Sequence, residues 1–127
     1  NMKNTGHVLM SQTEAVDQTA TTSTTSIIIP AKSQLVSADL YVSVIWSGSA
    51  ATAGLGYVGD ATAFTAAAAF TGGVLGIIKI TAGASKARVD AWADVGDTDR
   101  RLLLTYPNLG AGEGWITVTY IQAVDVG

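Results

Sequence analysis

The sequence predicts an all-β fold: an antiparallel, jelly-roll-like β-sandwich of seven to nine short strands, with one short helix or loop near residues 60–70. Three observations predict it. Apolar and polar residues alternate in several short runs, the period of a half-buried strand. Clusters of Gly, Ser, Asp, Asn and Pro separate these runs at intervals that suit a sandwich. The chain has 127 residues, one domain's worth at roughly 100–150 residues per domain.

Residues 1–26 are rich in Thr, Ser and Gln and carry few charges. They read as an extended arm that becomes a strand, because Thr is β-branched and suits a pleated surface. The strand runs on through Ile27, Ile28 and Ile29 and stops at Pro30, which has no N–H for the next ladder bond. The sandwich domain is expected over 27–127, with the arm at 1–26. From Gln34 the alternation sharpens. Ala38, Leu40, Val42, Val44 and Trp46 share one face, while Asp39, Tyr41, Ser43 and Ile45 share the other.

Leu55, Tyr57 and Val58 make a short strand among glycines. Asp60 to Phe70, DATAFTAAAAF, is the helical candidate: Asp60 can cap it, Ala favours it and Gly72 can stop it. Val74 to Ile80 has the length of a strand. Lys86 to Asp94 alternates small apolar with charged residues and reads as a strand. Arg101 to Tyr106 and Trp115 to Ile121 complete the set.

Composition excludes several functions. There is no Cys, so no disulfide, thiolate metal site or cysteine nucleophile exists. The single His is His7, near the terminus, and no GxSxG is present. A net charge of −3 argues against nucleic acid, which selects clustered Lys and Arg. The longest apolar stretch, Ala66 to Ile80, is broken by Gly72, Gly73 and Lys79, short of the roughly 20 residues a spanning helix needs. Charged residues make up 13%, about half the usual ~25%. A chain so poor in charge and without a membrane signal is expected to bury surface against other proteins.

Gly54 to Gly59 reads GLGYVG, a formal dinucleotide fingerprint. It lacks a strand running directly into its first glycine and an acid about 20 residues on, so it reads as a strand whose glycines allow close backbone packing. Asp94, Asp97 and Asp99 are weak candidates for a cation; the competing reading is a turn whose carboxylates accept local hydrogen bonds. No cofactor is expected. Among the tryptophans, Trp46 is expected in the core. Trp92, beside Arg88, has three open readings: a protein contact, a platform for a sugar ring, or a cover over a loop of its own subunit. Trp115 and Tyr106 join Trp92 and Arg88 as candidate interface or ligand contacts.

The order of features resembles small β-sandwich virion proteins of tailed bacteriophages, which decorate heads or form fibre and knob modules. An apolar stretch containing Pro (IIIPAKSQLVSADLYVSVIWSG) is followed by GLGYVGDATAF, then KARVDAW, DTDRRLLLTY and a closing GxGWITVTY. The likeness covers about residues 27–121. It implies a non-enzymatic structural role in a virion, bound to a major capsid protein or other virion protein, often as a homotrimer. It transfers no site residue. The alternative is a tail or cell-surface module that recognises a host glycan through Trp92, Trp115 and Tyr106. Charge concentrates in Lys79 to Arg101 and nearly vanishes over Ile27 to Phe70. The charge-poor region is therefore expected to hold most subunit contact.

Overall fold

The computed structural model describes residues 8–19, 22–46, 52–66, 69–106 and 110–122. Among them lie eight strands and one helix. The strands are β1 (Val8–Asp17), β2 (Thr22–Ile29), β3 (Gln34–Val44), β4 (Thr52–Tyr57), β5 (Phe70–Thr71), β6 (Gly76–Ile80), β7 (Arg100–Thr105) and β8 (Glu113–Gln122); the helix, α1 (Lys86–Ala93), falls between β6 and β7.

The strands form two four-stranded sheets, ordered β1-β8-β3-β6 and β2-β7-β4-β5. Every pair is antiparallel. The pairing is nested: first with last, second with seventh, third with sixth, fourth with fifth. Such a chain is one long hairpin folded over on itself. The β8–β3 and β7–β4 pairs then roll it into two layers. This is the jelly-roll order; the sequence predicts the antiparallel sandwich but not the order of its strands.

The core lies between the layers, where the inward rows of the two sheets meet. Leu40, Val42, Ile116 and Val118 come from one sheet; Ile29, Leu55, Leu102 and Leu104 come from the other, and all are essentially buried. Trp46, Phe64 and Tyr106 are also fully buried, with Trp46 edge-on to Tyr106 at 4.8 Å. Trp46, two residues beyond β3, is thus in the core, where the sequence places it, with its backbone N–H donating to Gly72 O. Val44 is not: register shifts between Val42 and Val44 as β3 pairs with β8, and Val44 turns outward. A slip of one residue exchanges the faces of a strand.

One element differs from expectation, and one open reading is resolved. Of the helix or loop expected near residues 60–70, the described part of the segment is loop. Asp60 Oδ1 instead accepts from the Thr62 N–H, and Phe64 N and Thr65 N both donate to Leu55 O. Phe64, Thr65 and Phe70 are buried against the sheet, and this packing outweighs the helix preference of the alanines. The strand expected at Lys86–Asp94 is α1. Its Lys, Arg and three Ala are good helix formers, and Lys86 pairs with Asp90 one turn on at 2.7 Å.

The Thr-rich N-terminal segment supplies full strands. β1 pairs with β8 over ten residues, and the boundary expected at residue 27 falls inside β2. Gln12 and Glu14 of β1 also reach across to β2. Gln12 donates to Ile28 O at 2.9 Å, and Glu14 accepts from Ser26 N. In GLGYVG, a Cβ on Gly56 would stand 2.4 Å from the backbone at Asp60 and Ala61. Close backbone packing accounts for that glycine.

Candidate interaction surfaces

Helix α1 buries none of its residues. It is held by two side chains that grip the turn after β4. Trp92 Nε1 donates to Phe64 O at 2.8 Å, and Arg88 Nε donates to Thr62 O at 3.0 Å. Trp92 thus lies half-buried over a loop of its own subunit. Shallow clefts flank the helix. One, of about 390 Å³, is lined by Tyr57, Asp60, Thr62, Ser85 and Arg88 among others. The other, of about 300 Å³, is lined by Val36, Ile80, Ala82, Val89 and Trp92 with Lys79.

The three candidate cation ligands turn to separate partners. Asp94 Oδ1 accepts from Gly96 N at 2.9 Å, and Asp99 Oδ1 from Ala31 N at 2.9 Å. Asp97 pairs with Lys32 at 2.5 Å. Hydrogen bonding from that ammonium, with its charge, holds the Asp97 carboxyl below its ordinary range. Among the described residues no three acidic or histidine side chains gather as a metal site. His7 lies outside the described residues.

Tyr106 was expected on a contact surface and is instead 1% exposed. It follows β7, where the inward row continues from Leu102 and Leu104. Burial pushes its phenol up to about 12, because the phenolate loses water. It has no surface to offer a ligand, so Trp92, Trp115 and Tyr106 do not form a common platform.

Trp115 stands on the outer face of the β1-β8-β3-β6 sheet and is 45% exposed. The register gives its neighbours: Ala15 on β1 and Tyr41 on β3, with Ile77 of β6 beyond Tyr41. Ala15, Trp115, Tyr41 and Ile77 therefore form one row across four strands. Tyr41 is 48% and Ile77 70% exposed. The next row is Thr13, Thr117, Asp39 and Lys79. Its polar groups satisfy each other: the two Thr hydroxyls lie 2.9 Å apart, and Lys79 meets Asp39 at 3.1 Å. Tyr41 and Ile77 were not singled out from the sequence. Their signal was an aromatic on the polar face of an alternating strand and an apolar run too continuous for one buried face.

Among the described residues no helix is long and apolar enough to cross a membrane. No protein-family model and no curated protein matches the chain. Among solved structures, a chain of the "Cyanophage Pam1 capsid asymmetric unit" is similar in fold, with a TM-score of 0.59 at 15% identity. The match covers 94% of this chain and 89% of that one, so the likeness is one of whole fold against whole fold.

Proposed function

We propose that this chain is a non-enzymatic structural protein of a phage virion, a capsid decoration or head-fibre subunit that binds the capsid and associates with itself. The observation that carries the reading is the agreement of fold over nearly the full length of both chains with a chain from a phage capsid. Jelly rolls also serve as lectins and enzymes, so the surface matters as well. The outer row of Trp115, Tyr41 and Ile77 is apolar and exposed. Such rows are unfavourable in water and suit a protein contact. The low charge of the sequence supports the same conclusion. A trimer remains the stoichiometry that the resemblance implies.

The test is proteomics of density-banded particles, followed by cryo-electron microscopy. The expected result is a chain present at many copies per particle, in density on the outer shell. Absence of the chain from purified particles overturns the proposal.

A further inference from the structure

We infer that the outer face of the β1-β8-β3-β6 sheet is a self-complementary surface that pairs with the same face of a second copy. The inference rests on the self-association in the proposed function and names its surface and geometry. Consider a two-fold axis parallel to the strands, passing between the central strands β8 and β3. It lays β8 of one copy over β3 of the other and β1 over β6, while each cross-strand row stays over its own counterpart. In the apolar row, Trp115 then faces Tyr41 of the second copy, and Tyr41 faces Trp115. Ala15 faces Ile77, so the smallest side chain of the row meets one that is 70% exposed.

The polar row on the Thr117 side obeys the same operation, while on the other side the row carries Asp17 and Glu113, and Glu113 faces Val44 of the second copy. Thr117 faces Asp39 and Thr13 faces Lys79, so each charge of the row directly faces a hydroxyl. The ion pair and the Thr–Thr hydrogen bond of this row are already made within each sheet. Covering the row strands no unpaired charge, the usual obstacle to burying polar surface. Sheets stack face to face at about 10 Å with their strands roughly aligned. Twist displaces the edges more than the centre, and the aromatic pair lies at the centre. The contact is isologous and closes at two copies, whereas a trimer needs a head-to-tail contact.

Native mass spectrometry and sedimentation at micromolar concentration test the arrangement. The wild-type chain is expected at the mass of two copies. Trp115→Lys and Tyr41→Asp are each expected to give monomers with unchanged circular dichroism. Mixed one to one, the two variants are expected to pair with each other. One aromatic contact is then native, and in the other the introduced lysine faces the introduced aspartate. If either variant fails to fold, Ile77→Lys and Ala15→Asp form the second complementary couple. A wild-type monomer, a trimer, or variants that do not pair on mixing overturn the inference. A trimer leaves the virion reading intact and a monomer removes only its self-association; the virion role itself is lost only if particles lack the chain, and in that case a dimer with complementary variants leaves the pairing intact.

Discussion

Trp46 is clamped by backbone. A Cβ added at Gly112 would lie 2.4 Å from its indole, and one at Gly72 would also lie 2.4 Å away. Gln18, itself buried, holds the Gly112 side of the clamp: its backbone N–H donates to Gly112 O at 3.0 Å, and its Oε1 accepts from Gly112 N at 3.1 Å. The Gly112→Ala substitution is expected to destabilise the fold by about 1–3 kcal/mol, because a packed aromatic must move. Urea denaturation followed by tryptophan fluorescence reads this as a lower midpoint at unchanged slope. Tyr106 gives a second expectation. Its phenol is raised in the folded chain to about 12, against ~10 when unfolded. The native state therefore holds its proton longer, and this contribution to stability is complete below pH ~10 and lost as pH rises towards 12. Thermal melts across that window should fall less steeply for Tyr106→Phe than for the wild type. An equal fall in both would assign the alkaline loss to other groups.

At the scale of elements, helix α1 is the lightest attachment. Eight residues form a marginal helix in water, and this one buries none of them. Removing the indole N–H with Trp92→Phe leaves Phe64 O without that donor and is expected to cost about 1 kcal/mol. Hydrogen exchange should show α1 amides losing protection first, with β3 and β8 unaffected. Equal loss in α1 and the central strands would mean that the helix opens only with the whole fold. The same element marks the limit of reading sequence. In KARVDAWAD, charged residues alternate with small or apolar ones, a strand signature, yet lysine, arginine and alanine also suit a helix. Period alone does not decide between them when the apolar positions are mostly alanine. In DATAFTAAAAF the bias runs the other way: two phenylalanines with a place between the sheets draw the chain along β4. Where the apolar residues are large, as in β3 and WITVTYI, the alternation fixes the strand and its inward face. Trp115, at the start of its run, left a core or a contact role open in the sequence, and the strand places it on the outer face. The burial of Tyr106 was not legible, because it continues the buried row of β7 by one residue past the strand's end.

For the whole molecule, the nested pairing makes the fold depend on its first strands. β1 covers one edge of β8 over ten residue pairs, and β2 covers β7. A chain beginning at residue 27 loses all of β1 and most of β2, and it exposes the edge of β8 and the side of the core that Val16 covers. That truncation is expected to be insoluble or to melt without cooperativity, whereas a true arm could be removed without loss. Calorimetry of both chains separates these outcomes. Charge follows the same large-scale division. The ion pairs Lys86–Asp90 and Lys32–Asp97 sit on α1 and the nearby turns, with exposed side chains, and each is worth little to stability in water. Their value is solubility on the surface that the paired sheets leave open.

The pairing of first strand with last has a further consequence for engineering. Val8 lies opposite Gln122, so the two strand ends leave the sandwich side by side at one corner. A short glycine–serine bridge between those ends would close the backbone into a ring without crossing either sheet, and the chain could then be cut open elsewhere. The exposed turn at Gly83 and Ala84, between β6 and α1, is a suitable opening. A circularly permuted protein made this way would keep every strand neighbour while moving its new termini to the helix side.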